Sequence, residues 1–218
     1  MLQRKIAIIA GASGLVGGNL LELLLQSPDY GRVISLGRRK LEIENPKLEQ
    51  IITDFSDIKK YEFWTEADVV FCCVGTTIKK AKSQENFRKV DVGIPQALMD
   101  AAQLSNIKFH LISSIGANAE SKNFYLRTKG EVESMLKLSG IEEVHIYRPS
   151  ILLGDRKEQR VGEKLGIVIN SLFSWLLIGK LKKYRGISAA HLAKKMILFS
   201  LEYQANGIYI HENDELIN

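Results

Sequence analysis

The chain has 218 residues, of which 45% are hydrophobic and 25% are charged. This length and balance predict one globular domain with its own core and leave little room for a second domain. The formal net charge is +5, but no run of five or more like charges occurs, which argues against a nucleic-acid-binding protein.

Strands and helices alternate along most of the chain. Strands are predicted over residues 6–10, 33–36, 49–53, 68–74, 108–113, 144–147 and 207–210. Helices are predicted over residues 15–26, 83–104 and 123–138, with Pro95 in a first helical turn rather than at a kink. Continuous apolar strands separated by helices predict an α/β fold, a Rossmann-like doubly wound parallel sheet with helices on both faces. We expect a single domain over residues 1–218, in which the mainly helical part 151–218 supplies the substrate side.

Targeting and membrane signals are weak. Gly11 interrupts the first apolar run too early for a secretory signal peptide. The two cysteines are adjacent and the four histidines are scattered, which predicts no metal site, no useful disulfide and a reducing, cytoplasmic location. The apolar stretch 165–178 is shorter than the roughly 20 residues of a membrane span. We therefore predict a buried helix there and no membrane span; a helix against a membrane surface or a protein partner is the alternative.

A glycine-rich turn follows the first predicted strand and opens the first helix. Gly11, Gly14 and Gly17 have the spacing G-x-x-G-x-x-G. Gly11 permits a tight turn, Gly14 lets a pyrophosphate approach the backbone, and Gly17 lets the helix pack close to the sheet. The helix N-terminus adds free N–H groups and partial positive charge. The turn predicts a dinucleotide held by Gly11, Ser13, Gly14, Leu15, Val16 and Gly17; a connection that binds nothing is the alternative.

Basic residues follow the second predicted strand. Arg38, Arg39 and Lys40 stand where a NAD-binding protein usually carries a carboxylate for the ribose 2′-hydroxyl. A guanidinium can instead pair with a 2′-phosphate and stack on adenine. We therefore predict NADP(H), bound by Arg38 and Arg39, as the cofactor, with NAD(H) less favoured. A solvated basic turn is the alternative.

Tyr125 and Lys129 form a Y-x-x-x-K pair on a predicted helix, where a spacing of four puts both side chains on one face. The pKa of a phenol is near 10, too high for acid–base catalysis at neutral pH, and a neighbouring ammonium lowers it. Lys129 can also hold the nicotinamide ribose. Ser113 and Ser114 end the fifth strand, at the edge that faces the ligand crevice. This arrangement predicts proton transfer by Tyr125, with a serine, preferably Ser114, on the substrate oxygen.

The sequence resembles the short-chain dehydrogenase/reductase superfamily, in particular its atypical branch. The resemblance rests on the glycine turn and the Tyr125–Lys129 pair together with blocks at 71–77, 90–91, 111–114, 129–133 and 148–156. It implies Tyr125 as the general acid/base, Lys129 as its electrostatic helper and Ser114 or Ser113 as the oxygen donor. It also implies further cofactor contacts from Asp54, Phe55, Cys73, Val74, Gly75, Thr76, Pro149 and Ile151.

Together these features predict an NADP(H)-dependent oxidoreductase that transfers hydride to or from a small carbonyl or alcohol substrate. The resemblance to the atypical branch implies an alternative, a non-catalytic NADPH-binding protein with a regulatory or assembly role. The expected partner is then another protein or a second copy of the chain. A nucleotide-sugar epimerase or dehydratase is a lesser alternative, because the interval between Ser114 and Tyr125 and the C-terminal part are short beside those enzymes.

Several other polar residues have two interpretations. Asp91 either fixes the loop after the fourth strand or caps a helix, and the cap is preferred. A polar cluster could bind an anionic substrate or form a solvated loop; its members are Asp155, Arg156, Gln159 and Arg160. The histidines show no mutual spacing and are predicted to be structural; they are His110, His145, His191 and His211. Cys72 and Cys73 are predicted to pack as apolar side chains.

Overall fold

A computed structural model of the chain describes residues 4–103, 105, 107–154, 184–202 and 205–217. The predicted helix over 165–178 and the polar cluster of Asp155, Arg156, Gln159 and Arg160 lie outside these residues.

A seven-stranded parallel sheet forms the centre of the described structure. Its strands are β1 (Lys5–Ala10), β2 (Tyr30–Gly37), β3 (Leu48–Ile52), β4 (Val69–Cys72), β5 (Lys108–Ile112), β6 (Glu143–Arg148) and β9 (Gly207–Glu212). The spatial order is β3-β2-β1-β4-β5-β6-β9, and every neighbouring pair is parallel. Strands β7 (Leu152–Leu153) and β8 (Ile187–Ser188) pair separately. The strand order reverses between β1 and β4, and dinucleotides bind in the crevice at such a point.

The helices of the described residues flank the sheet. They are α1 (Leu15–Gln26), α2 (Ile78–Ala81), α3 (Gln84–Arg88), α4 (Ile94–Ala102), α5 (Phe124–Lys137), α6 (Ala189–Leu201) and α7 (Asn213–Leu216). Two 3₁₀ turns, Ile58–Lys60 and Glu62–Thr65, follow β3. No described helix has the length and apolar character needed to cross a bilayer.

The predicted single helix over 83–104 is interrupted by one π-helical turn. This turn spans Lys89–Gly93 and separates α3 from α4. Pro95 lies in the first turn of α4, as expected. Proline has no N–H for the i→i−4 ladder, and a π turn accommodates such a break without ending the helix.

The core consists of two apolar layers, one on each face of the sheet. Since side chains alternate along a strand, Ile8 and Val70 face α4 and α5, whereas Ala7 and Phe71 face α1 and α6. Both faces are therefore covered, which is why the strands read as continuous apolar runs. The predicted Rossmann-like α/β fold is confirmed.

Candidate active and cofactor site

The glycine turn packs against the end of β4. Gly11 has a φ of +90°, and a Cβ built there would lie 2.6 Å from the carbonyl carbon and oxygen of Cys73. A Cβ on Gly17 would lie 2.2 Å from the carbonyl oxygen of Gly11, so this glycine brings α1 against the turn itself. Gly14 begins the helix without a side-chain cap, and it is exposed beside Ser13. The turn therefore leaves an open helix N-terminus at the crevice.

Other predicted segments lie along the same edge of the sheet. The Cys73 backbone N–H donates to the carbonyl of Ala10 over 2.9 Å. Farther along, the Ile115 N–H donates to the carbonyl of Pro149 over 2.9 Å, which joins the segment after Ser114 to the segment 149–151. The ends of β1, β4, β5 and β6 thus form one continuous rim.

Arg38 lines an open cleft of about 530 Å³ at the ends of β2 and β3. The other residues around this cleft are Ile52, Thr53, Asp54, Ser56, Asp57, Lys60 and Tyr61. Arg38 and Arg39 are both exposed, and neither side chain has a hydrogen bond or ion pair within the described residues. Both guanidinium groups are free to take an anion, and Arg38 is the one that faces the cleft.

Asp54 and Phe55 differ in what they offer to a ligand. The Asp54 carboxylate accepts hydrogen bonds from the Ser56 hydroxyl and backbone N–H, at 2.7 and 3.0 Å, which lower its pKa. Phe55 has a φ of +71° and its side chain is buried in the core. Any contact of Phe55 with a cofactor would therefore come from its backbone.

Lys129 lies in a buried ion pair with Asp91. The Lys129 Nζ and Asp91 Oδ1 atoms are 3.0 Å apart, and the two side chains are 8% and 0% exposed. Burial lowers the pKa of Lys129, but Asp91 and Tyr125 raise it by more, so the net shift is upward. Asp91 Oδ2 accepts the Thr76 backbone N–H at 2.8 Å. The preferred interpretation of Asp91 as a helix cap is wrong, because it lies inside the π turn and fixes the loop after β4.

Tyr125 lies in the first turn of α5, which Asn123 caps by accepting the Leu126 N–H at 3.2 Å. The Tyr125 side chain contacts Phe87 edge-on, with ring centroids 6.2 Å apart, and the residue remains 37% exposed. Lys129 Nζ is 6.0 Å from the centre of the Tyr125 ring. Within the described residues the phenol hydroxyl has no hydrogen-bond partner, so it is available to a ligand.

The two candidate serines have different environments. Ser113 is buried and donates a 2.5 Å hydrogen bond to Glu133. Ser114 is half-buried and makes only a long bond, 3.3 Å, to the carbonyl of Ile115. The hydroxyl of Ser114 is therefore the freer of the two.

A partly buried charge network next to Ser113 is not predicted from the sequence. Glu133 accepts hydrogen bonds from Arg148 Nε and Nη2 at 3.0 and 2.5 Å, and Arg148 Nη1 reaches Glu212 at 2.8 Å. The hydrogen bonds that Arg148 donates to Glu133 raise the pKa of Arg148 above its usual value. The network joins α5 to β6 and β9. The available signal was Glu133 itself, a carboxylate between the core residues Val132 and Leu136 of the same helix.

Three of the four histidines come together on neighbouring strands. His110, His145 and His211 are buried on the α1/α6 face, and the rings of His110 and His145 stack at 4.4 Å. His145 Nδ1 and His211 Nε2 are 3.0 Å apart, and His145 Nε2 is 3.1 Å from Glu143. In the described residues no group of three or more His, Cys, Asp or Glu could hold a metal ion.

The cysteines lie at the end of β4. Cys72 is buried in the α4/α5 layer, where burial raises the pKa of its thiol to about 11, and Cys73 packs against the opposite layer. Their apolar packing agrees with the prediction.

Comparison with known proteins adds to this geometry. The sequence profile described as NAD dependent epimerase/dehydratase family matches residues 7–176. The chain belongs to this family.

Relatives of the chain share sequence over about two thirds of their length. Protein HTATIP2 of Rattus norvegicus is 36% identical over 169 residues, which cover 75% of this chain and 69% of that protein. Protein FMP52, mitochondrial, of Candida albicans is 38% identical over 159 residues, covering 69% of this chain and 68% of that protein. The crystal structure of the Bordetella bronchiseptica enzyme WbmH in complex with NAD⁺ superposes with a TM-score of 0.71. It is 15% identical and covers 96% of this chain and 76% of that chain, a likeness of fold.

Membership of the epimerase/dehydratase family confirms the predicted relationship to short-chain dehydrogenase/reductase-like proteins and a Rossmann fold of the NAD(P)-binding kind. The name of the fungal relative places that protein in mitochondria. The cytoplasmic location expected for this chain therefore stays a prediction.

Proposed function

We propose that the protein is an NADP(H)-dependent oxidoreductase that acts on a small carbonyl or alcohol substrate, with Tyr125 as general acid/base. One observation carries the proposal. The half-exposed Tyr125 has a free hydroxyl one helical turn from the buried ammonium of Lys129, while the Ser114 hydroxyl, with only one long hydrogen bond, follows β5 on the rim of the sheet.

The residues of the rim fit a dinucleotide. The turn packs so closely on Cys73 that a Cβ on Gly11 would collide with it. The N-terminus of α1 beside this turn is open, and its N–H groups would bind the pyrophosphate. The cleft at Arg38 would take the adenosine end, with the guanidinium on a 2′-phosphate. Lys129 has three N–H donors, of which Asp91 takes one, so others remain for ribose hydroxyls.

The proposed chemistry divides between cofactor and protein. The nicotinamide supplies or accepts the hydride when bound. Ser114 donates a hydrogen bond that holds the substrate oxygen, and in the direction of reduction Tyr125 gives its phenolic proton to that oxygen. Lys129 stabilises the phenolate left on Tyr125, and the reverse transfers serve oxidation.

Cofactor choice is tested by a matched pair of arginine variants. A charge-assisted hydrogen bond is worth about 1.5–3 kcal/mol, so Arg38→Ser is expected to weaken NADPH binding by roughly 10- to 100-fold. Arg39→Ser, whose side chain lies outside the cleft, is expected to weaken it less. Dissociation constants from NADPH and NADH fluorescence measure both effects. Equal affinities of the wild type for NADPH and NADH would contradict the preference for NADP(H).

Catalysis is tested with a panel of aldehydes, ketones and alcohols. Tyr125→Phe is expected to abolish turnover and keep NADPH affinity within about threefold, because it removes only the proton donor. Tyr209→Phe, on the edge strand β9, serves as the matched control. Undiminished turnover in Tyr125→Phe would refute the role of this residue. NADPH binding without turnover on any substrate would instead favour the regulatory alternative.

The family match supports a second candidate, an epimerase that oxidises and then re-reduces a nucleotide sugar. The two candidates differ in the fate of the cofactor. A reductase consumes NADPH in proportion to product, whereas an epimerase retains its cofactor and interconverts two sugars without net consumption. Absorbance at the reduced nicotinamide band, followed with and without a UDP-sugar, separates them.

A further inference from the structure

Asp91 is a buried carboxylate to which the proposed chemistry gives no task. It belongs to the π turn between α3 and α4, and its side chain is fully buried. It has contacts with two parts of the candidate site, the ammonium of Lys129 at 3.0 Å and the backbone N–H of Thr76 at 2.8 Å.

We propose that Asp91 is a positioning residue that keeps Lys129 in its ammonium form and locks it to the loop after β4. The proposal rests on the proposed function, since the loop and Lys129 are the groups that would hold the cofactor.

Of the groups around Lys129, Asp91 does most to stabilise its ammonium form. The groups that face its ammonium are Asp91 from the π turn, Tyr125 from α5 and Cys72 from β4. Near pH 7 the Cys72 thiol is neutral, because burial raises its pKa to about 11, and Asp91 is the carboxylate in contact with the ammonium. Asp91 is thus the partner that offsets the burial of the ammonium, and without it burial would favour a neutral amine.

The same carboxylate also fixes geometry. A Cβ on Gly75 would lie 3.7 Å from Asp91 Oδ1 and 3.9 Å from Lys129 Nζ, while Gly75 itself is exposed. The ion pair therefore lies directly beneath the surface of the loop that faces the crevice. Asp91 therefore fixes the position of the Lys129 ammonium relative to the loop, and so relative to a ligand bound against that loop.

The charge role is tested with Asp91→Asn, which keeps an oxygen for the Thr76 N–H and removes the charge. The pKa of Lys129 is read from lysine side-chain NMR in the cofactor-free protein, with the signal assigned by its loss in Lys129→Arg. It is expected to fall by at least about one unit in Asp91→Asn. The control is Glu85→Gln, which breaks the exposed 2.8 Å pair between Glu85 of α3 and Lys89 of the π turn and is expected to leave the Lys129 signal unchanged.

NADPH affinity supplies a second measurement. We expect the wild type to bind with little change between pH 6.5 and 9.5, and Asp91→Asn to lose affinity progressively toward the upper end of this range as Lys129 deprotonates. A uniform loss at every pH would show that Asp91 only shapes the loop, and would overturn the proposal.

The outcomes separate this proposal from the proposed function. If the wild type does not bind NADPH, the cofactor assignment fails while the NMR titration still tests Asp91. If Lys129 titrates at the same pH in wild type and Asp91→Asn, the proposal fails whatever the cofactor. Should Asp91→Asn not fold, Asp91→Asn/Lys129→Met is expected to restore folding by removing the uncompensated ammonium. Failure of that double variant to fold would also overturn the proposal.

Discussion

Gly130 is where α5 touches the loop that follows β5. A Cβ built on this residue would lie 2.2 Å from the Ala119 nitrogen and the Asn118 carbonyl carbon, and 2.6 Å from the Asn118 Cα. Ordinary contact begins near 3.4 Å, so Gly130→Ala requires the helix and loop to separate by about 1.2 Å. The added methyl group would meet backbone atoms, so no side-chain rotation relieves the clash.

Two effects of Gly130→Ala oppose each other. Alanine in a helix interior is favoured over glycine by about 1 kcal/mol. Overpacking of a well-packed contact costs about 1–3 kcal/mol or more, and backbone clashes lie at the upper end. We therefore expect a net loss of about 2 kcal/mol, which corresponds to a fall in Tm of roughly 4–8 °C for a domain of this size.

Thermal unfolding followed by circular dichroism measures this loss. Gly18→Ala is the matched control, because Gly18 also lies inside a helix but its Cβ would meet only the Ala12 carbonyl oxygen, at 3.5 Å. That variant is expected to gain up to about 1 kcal/mol. A Gly130→Ala protein as stable as Gly18→Ala would refute the reasoning. Since Tyr125 and Lys129 move with α5, turnover is expected to fall as well, because displacements near 1 Å cost up to about 100-fold.

Three further predictions follow from other contacts. Glu133→Gln is expected to lower the free energy of unfolding by about 2 kcal/mol, because Arg148 loses its buried carboxylate partner and keeps only the more exposed Glu212; a change under about 0.5 kcal/mol in urea denaturation would contradict this. Burial, then neighbouring positive groups, lower the pKa of His110, so the unfolded chain takes the proton first and stability falls as the pH drops below about 6.5. His110→Phe is expected to remove up to about 1.4 kcal/mol per pH unit of that fall, measured by urea unfolding between pH 7.5 and 5.5, and an identical fall in the variant would be the contrary result. Gly17→Ala, whose Cβ would lie 2.2 Å from the Gly11 carbonyl oxygen, is expected to weaken NADPH binding at least tenfold, while unchanged affinity would show that the turn is not needed.

The parts of the molecule that sequence predicts well are those with local signals. Apolar runs of strand length, helical periodicity and the glycine spacing after residue 10 all depend on residues within one turn or strand of each other. They were sufficient for the sheet, for α1 and α5 and for the edge on which the candidate residues lie. Tyr125 and Lys129 were recognisable for the same reason, because four residues of a helix bring them together.

The parts that sequence does not predict depend on contacts between distant segments. His145 and His211 are 66 residues apart in the chain, yet the pairing of β6 with β9 brings their ring nitrogens within 3.0 Å. The pairing of Asp91 with Lys129 depends on how the α3–α4 segment lies against α5. The spacing of these residues along the chain does not predict either contact. The π turn escapes prediction for another reason, since its residues have the same helical pattern as their neighbours.

The π turn also determines the rotational phase between two halves of one helical segment. Each residue of an α-helix advances about 100° around its axis, so one residue more or less between α3 and α4 would rotate one half against the other by that angle. Leu98 and Met99 anchor α4 in the core, so α3 is the half that would rotate. This rotation would move Phe87, whose ring contacts Tyr125. Chain length between residues 89 and 93 is thus a constraint as strict as the identity of any side chain there. In comparisons among relatives, a single-residue gap in this interval would signal a rearranged wall beside Tyr125, even where every motif residue is retained.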